Sequence, residues 1–371
     1  MWWWWFVTAD LTAKIPFGLS KKQQLIVGIS IGDLNGIGSE IILKTFQDPR
    51  MLDFCTPVIF ASVKVMSFFK KTFNSPINLH GIDSLDKIVH KKVNVFNVWK
   101  ESVAISFGEE DPKAGSYAIK SLKAAVAALK EDQIQVLVTA PINKFNIQSE
   151  EFNFPGHTDY LNKELVGNSM MLMIANELRV GLLTDHVPVK DVAQTITPEL
   201  IKQKIATINN TLRQDFGIIK PKIAVLGINP HTGDNGVIGK EDDDVLRPTL
   251  KLLNEDGIHA YGPYAADSFF GSGNYKNFDA IIAAYHDQGL VPFKTLSFGN
   301  GVNYTAGLDK IRTSPDHGTA YDIAGKNTAS FESFQEAVFK AISIYRARTE
   351  HLELVKNPLK KRARKTLTKN K

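Results

Sequence analysis

Residues 25–44 read Leu-Ile-Val-Gly-Ile-Ser-Ile-Gly-Asp-Leu-Asn-Gly-Ile-Gly-Ser-Glu-Ile-Ile-Leu-Lys. Leu25 to Ile31 is an apolar run broken by Gly32-Asp33, the pattern of a strand buried on both faces of a parallel sheet. A glycine turn, Gly32 to Gly38, follows, and Glu40-Ile41-Ile42-Leu43-Lys44 begins a helical pattern. The turn lacks both the G-x-G-x-x-G spacing of dinucleotide sites and the Lys-Ser/Thr of a P-loop, so it reads as a tight strand-to-helix connection.

The same alternation continues along the chain. Short apolar runs at Val58–Ala61, Val136–Val138, Val180–Leu183, Ile223–Leu226 and Ala280–Ala284 predict strands. Ala114–Lys130, Pro198–Phe216, Asp242–Asp256 and Phe331–Arg348 carry helical spacing. Strands alternating with helices give an α/β class with a largely parallel sheet. A chain of 371 residues suggests two domains or one large α/β unit, and no repeat or low-complexity linker marks a boundary.

Composition narrows the function classes. Hydrophobic residues at 43% and charged residues at 22% describe a globular chain, large enough to fold without disulfides or a structural metal. The single cysteine, Cys55, excludes an internal disulfide framework. No apolar run reaches the roughly 18 residues of a transmembrane helix. The net charge of +5 is uneven: Lys356 to Lys371 carry eight basic and no acidic residues, and the body from Leu25 to Val355 is −5. A mildly acidic body is a poor nucleic-acid binder. The start, Met1-Trp2-Trp3-Trp4-Trp5-Phe6-Val7, has no early Lys or Arg and is too short for a signal peptide. Residues 1–24 are read as a disordered or non-native extension, residues 351–371 as a solvated basic tail, and the protein as cytoplasmic, with no membrane partner.

In open α/β folds ligands bind beyond the carboxyl ends of strands. Three predicted strands each deliver one histidine there: His186 in Thr184-Asp185-His186, His231 in Asn229-Pro230-His231-Thr232, and His286 in Tyr285-His286-Asp287-Gln288. Three imidazoles can ligate a divalent ion and leave a position open, and Asp185 and Asp287 adjoin two of them as orienting carboxylates. The gaps between them form no local metal motif, so three separate loop histidines is the competing reading. In Phe154-Pro155-Gly156-His157-Thr158-Asp159, either Thr158 or Asp159 caps a helix, or His157 and Thr158 face an anion. Lys294, Asn303 and Arg312 border or lie in the glycine-dense stretch Phe298–Gly318, where lysine plus arginine can clamp a phosphate or carboxylate.

Val138-Thr139-Ala140-Pro141-Ile142-Asn143-Lys144, Phe154–Thr158, Asn229–Gly233, Tyr285–Leu290, Gly299–Asn303 and Ile311–Ala320 together resemble the 4-hydroxythreonine-4-phosphate dehydrogenase family, over about Leu25 to Arg348. The resemblance implies an isocitrate/isopropylmalate dehydrogenase-like fold of two α/β/α subdomains, about 25–150 plus 315–350 and about 151–314, and not a Rossmann G-x-G-x-x-G domain. It implies a homodimer whose sites draw on both subunits. His186, His231 and His286 match the family's metal ligands, for Zn, Mg or Co. His157, Thr158, Lys294, Asn303 and Arg312 match its contacts to a small phosphorylated amino acid. Asp267 and Asp287 match acidic residues near the metal and are the candidates for the general base.

The implied reaction oxidises the C3 hydroxyl of 4-phosphooxy-L-threonine with NAD, in pyridoxal phosphate biosynthesis; the β-keto acid product then loses CO₂ to give 3-amino-2-oxopropyl phosphate. His317 to Lys326 resembles the adenosine loop of the isopropylmalate and isocitrate dehydrogenases, with Asp322 placed to bind the adenosine ribose. A carboxylate there favours NAD over NADP by repelling a 2′-phosphate. The alternative is that Asp322 caps the following turn. Two other functions stay open: a related dehydrogenase acting on another phosphorylated or carboxylated hydroxy acid, and a non-redox phosphate-binding or phosphoacyl-transferring protein. The chain departs from the family at Leu34 and Ser39, where proline is frequent.

Overall fold

Strand β1 (Ile26–Ser30) pairs in parallel with β2 (Thr56–Ala61) on one side and β5 (Val136–Thr139) on the other. Its alternate side chains enter two different cores, as the apolar run requires. The computed structural model describes residues 24–150 and 152–356. The tryptophan-rich start and the basic residues after Lys356 lie outside the described residues.

Around β1 the chain adds β3 (Leu79–Ile82), β4 (Val93–Asn97), β6 (Gly167–Ala175), β7 (Leu178–Leu182), β8 (Ile223–Leu226), β9 (Ala260–Tyr264), β10 (Ala280–Ala283), β11 (Val302–Leu308) and β12 (Ile311–Pro315). All twelve lie in one sheet, in the order β3-β4-β2-β1-β5-β12-β11-β6-β7-β10-β8-β9. The two outer parts are parallel; the centre is antiparallel through the β12–β11, β11–β6 and β6–β7 pairs. The α/β class and the largely parallel sheet are as expected from the sequence. The stretch Phe298–Gly318 differs: it carries the β11–β12 hairpin at the centre of the sheet. Gly307, at φ 80°, sits in a register shift between β11 and β6, where a Cβ would lie 2.2 Å from the Asn168 carbonyl oxygen.

The helices follow their sequence signals. Pro112–Lys130 starts on Asp111, whose side chain accepts from the Lys113 amide, with Pro112 in the first turn. Pro198–Asp215 starts on Thr197, which accepts from the Leu200 amide. Two boundaries move. Asp242–Leu246 is a turn of π-helix before the α-helix Arg247–Glu255. Among the described residues the last helix runs Glu332–Lys356, past Arg348, with no proline or glycine within it.

Period-two alternation divides the sheet into one continuous and one interrupted face. Val27, Val136, Leu172, Val225 and Ile282 share a single core that spans the sheet. On the other face Leu137 belongs to one core, while Met173, Ala224 and Ile281 belong to another. Between these two cores, over β5, β12 and β11, the sheet presents Thr139, Arg312, Asn303 and Thr305 instead of an apolar layer. That gap is a cleft.

Candidate active site

The cleft holds a cavity of about 350 Å³ lined by His157, Thr158, His186, His286, Lys294, Asn303 and Arg312. Seven residues singled out from sequence are thus brought together from three regions of the chain. Arg312 projects from β12 and is 2% exposed. Its Nε and Nη2 donate to Thr139 Oγ1 (3.0 and 2.6 Å) and its Nη1 to Thr305 Oγ1 (3.1 Å). Neutral hydroxyls orient the guanidinium without neutralising it, and burial pushes its pKa down to about 9, still protonated at neutral pH.

His157 and Thr158 open the helix His157–Glu164, whose N-cap Gly156 supplies no side-chain cap bond. Neither Thr158 nor Asp159 takes the cap position; both lie in the first turn. The N-terminal amides of this helix are therefore left for a ligand, and amides with helix dipole favour an anion. Burial, then the positive charges of Arg312 and Lys144, hold the His157 imidazole well below its ordinary pKa. Lys294 donates to the Asp316 carbonyl at 3.4 Å and lines the same cavity.

His186 lies in the loop after β7 and His286 opens the helix His286–Ser297 after the neighbouring parallel strand β10; their ring centroids are 5.8 Å apart. Asp287 Oδ1 lies 2.7 Å from His286 Nδ1. A carboxylate there accepts a hydrogen bond from Nδ1–H and leaves Nε2 as the lone-pair nitrogen. Burial first, and Lys144 second, lower the pKa of His186. Both imidazoles suit a divalent ion. Gln288, which sequence reasoning passed over, ties the segment after β10 to the loop after β8: its Oε1 accepts from the Ala284 amide (2.7 Å) and its Nε2 donates to the Gly227 carbonyl (2.8 Å).

His231 and Asp267 are elsewhere. They line a separate cavity of about 250 Å³ with Asn229 and Tyr285. Among the described residues no group of three His, Cys, Asp or Glu side chains is close enough to hold a metal. The loop that carries His231 has positive φ at His231, Thr232, Gly233, Asp234, Asn235 and Gly236. Asp242, fully buried, pins its start by accepting from the Ile228 amide (2.8 Å), the Asn229 amide (2.9 Å) and Asn229 Nδ2 (3.1 Å). Val237, 82% exposed, and Ile238, 49% exposed, project beside it.

Four polar atoms facing the main cavity are buried without a hydrogen-bond partner: His157 Nε2, Asp185 Oδ1, Asn303 Oδ1 and His317 Nε2. Such atoms are costly unless a ligand or water satisfies them. Asp185 and His317 are not among the substrate contacts that the sequence points to, which gives Asp185 only as a neighbour of His186. Burial raises the pKa of the Asp185 carboxyl.

The Gly32–Gly38 turn and the His317–Lys326 loop meet at the rim. The Ile37 amide donates to the Thr319 carbonyl (3.0 Å), and Tyr321 OH donates to the buried Asp33 carboxylate (2.9 Å). Asp322 is exposed, and Lys326 Nζ donates to its backbone carbonyl (2.7 Å). No described helix is long and apolar enough to cross a membrane.

Residues 53–341 match the family model described as pyridoxal phosphate biosynthetic protein PdxA. A protein of Bacteroides thetaiotaomicron named 4-hydroxythreonine-4-phosphate dehydrogenase is 48% identical, over 92% of this chain and 94% of its own. A protein of Cupriavidus necator named D-threonate 4-phosphate dehydrogenase is 35% identical, over 84% of this chain and 95% of its own. The crystal structure of 4-hydroxythreonine-4-phosphate dehydrogenase from Klebsiella pneumoniae superposes with a TM-score of 0.76 at 30% identity, over 88% of this chain and 99% of that one.

Proposed function

This chain belongs to the pyridoxal phosphate biosynthetic protein PdxA family, and we propose that its cleft oxidises 4-phosphooxy-L-threonine at C3 with a nicotinamide cofactor. The observation that carries the reading is the set of buried, unpartnered polar atoms around one cavity with a desolvated arginine at its base. A substrate with a phosphate and a carboxylate supplies what these groups lack. Arg312 and Lys294 offer charge, and the start of the helix His157–Glu164 offers amides. His157, held neutral, adds a hydrogen bond rather than a third positive charge.

His186 and His286 would hold a divalent ion, with Asp287 orienting His286. When bound, the ion would supply Lewis-acid polarisation at the reacting oxygen, and a nicotinamide would supply the hydride acceptor. The third ligand in this reading is His231 of a second copy. An exposed His231 beside exposed Val237 and Ile238 supports an interface that carries it into a neighbouring cleft. Asp267 travels with His231. Asp287 is committed to His286, which leaves Asp267 as the candidate base. The exposed Asp322 carboxylate in the His317–Lys326 loop would favour NAD over NADP by repelling a 2′-phosphate.

The second reading is oxidation of the 2-hydroxy analogue, favoured by the Cupriavidus necator relative. The experiment is NAD reduction with each compound, with and without chelator. The proposal expects turnover of 4-phosphooxy-L-threonine that chelation abolishes and a divalent ion restores. Turnover of only the 2-hydroxy compound would establish the second reading instead.

A further inference from the structure

We propose that Asp185 is a specificity-determining residue: its carboxylate accepts a hydrogen bond from the substrate's C2 amino group and so selects the 2-amino substrate over its 2-hydroxy analogue. This rests on the functional reading above, and it assigns a part of the substrate that the cationic groups cannot recognise.

The charge around the cavity is divided. Arg312, Lys294 and His157 are donors, suited to phosphate and carboxylate. Both compounds carry those two anions, so none of these residues distinguishes them. The compounds differ at C2, where one bears a protonatable amine and the other a hydroxyl. A residue that tells them apart must accept hydrogen bonds and carry negative charge.

Three acidic side chains line the cavity: Asp159, Asp185 and Asp316. Asp316 Oδ1 is within 3.3 Å of the Ser333 hydroxyl, which donates to it. Asp159 is exposed to solvent in the first turn of its helix. Asp185 differs from both: its Oδ1 is buried and has no hydrogen-bond partner. Its place is fixed from the preceding residue, because Thr184 Oγ1 donates to the Ala284 carbonyl at 2.7 Å and the Thr184 amide donates to the same oxygen at 3.2 Å. The carboxylate thus lines the same cavity as His186 and His286, where the reading above puts the reacting end of the substrate. A site built to hydrogen-bond one polar group rejects an analogue that leaves its partner unmatched. An ammonium offers up to three donors and a full charge, a hydroxyl one donor and none.

The test uses the full-length protein, wild type and Asp185→Asn. That substitution keeps shape and removes charge. Calorimetric affinities for 4-phosphooxy-L-threonine and for the 2-hydroxy 4-phosphate analogue are measured first, then kcat and KM for each. The expected result is a wild-type preference for the amine that falls roughly ten- to hundredfold in the variant, the range of a hydrogen bond to a charged group. The fall should come through affinity and KM for the amine, with the analogue changed little. Equal losses for both compounds would make Asp185 structural and overturn the inference. So would an unchanged ratio. Wild-type protein that binds both compounds alike would overturn it while leaving the dehydrogenase reading intact. Binding without any NAD reduction would sink the dehydrogenase reading and still leave Asp185 judged by the affinity ratio. A retained melting temperature in the variant separates these outcomes from misfolding, and Asp185→Glu, which restores charge, should recover part of the preference.

Discussion

Arg312 is a cation seated on the sheet and held by two threonine hydroxyls. Burying a charge without an opposite one is costly, and here the cost serves binding. Arg312→Met should therefore keep or raise the melting temperature while lowering kcat/KM at least about a hundredfold, the pattern of a destabilised functional site. A fall in both would mean the arginine is a fold element. His157 gives a pH signature. Its folded pKa lies below its unfolded value near 6.5, so the unfolded state takes up a proton first as pH falls. Its contribution is present above about pH 6.5 and is lost on acidification toward the folded pKa, by at most about 1.4 kcal/mol per pH unit. His157→Gln should flatten the dependence of unfolding free energy between pH 7.5 and 5.5 relative to wild type. Parallel slopes in the two proteins would place the acid sensitivity elsewhere.

At the scale of elements, β1, β2, β5, β7, β8 and β10 were legible because each is a short apolar run in the parallel parts of the sheet. The edge strands β3 and β9, the strand β4 beside β3, and the antiparallel insert β6, β11 and β12 were not. β9 contains Gly262-Pro263, which reads as a turn. β11 and β12 turn Asn303, Thr305 and Arg312 into a cleft, so their alternation is polar on one side and the glycines dominate the reading. The same residues were legible as site residues for the reason they were illegible as strand. His231 was found by its position after β8, but its separation from the other two histidines depends on loop conformation, which spacing does not encode. One element junction gives a stability test. Arg348 pairs bidentately with the buried Asp215 (2.7 and 3.0 Å) and donates to Tyr304 OH (2.8 Å), locking the last helix to β11 and to the helix Pro198–Asp215. Arg348→Met leaves the buried Asp215 with the Tyr304 hydroxyl but without a counter-charge, and should cost about 3–5 kcal/mol in urea unfolding. A loss under about 1 kcal/mol would show that water replaces the guanidinium.

For the whole molecule, the continuous core on one face holds the sheet as a unit, while the two cores on the other leave the cleft between them. His186 and His286 lie within one cleft and His231 outside it, so a shared-site dimer makes a pairwise prediction. Mixing inactive His186→Ala with inactive His231→Ala and allowing subunit exchange should restore activity, because the heterodimer contains one intact set. Mixing His186→Ala with His286→Ala should restore none, since each cleft then lacks a ligand. Recovery in both mixtures, or in neither, would contradict a site built from two chains. The most direct measurement is a product-resolved assay with 4-phosphooxy-L-threonine, NAD and a divalent ion, following NADH, CO₂ and 3-amino-2-oxopropyl phosphate together. Formation of all three in equal amounts by the wild type, and almost none by Arg312→Met, is the expected result. No NADH from this substrate, or an Arg312→Met protein as active as the wild type, would contradict the assignment of the cleft.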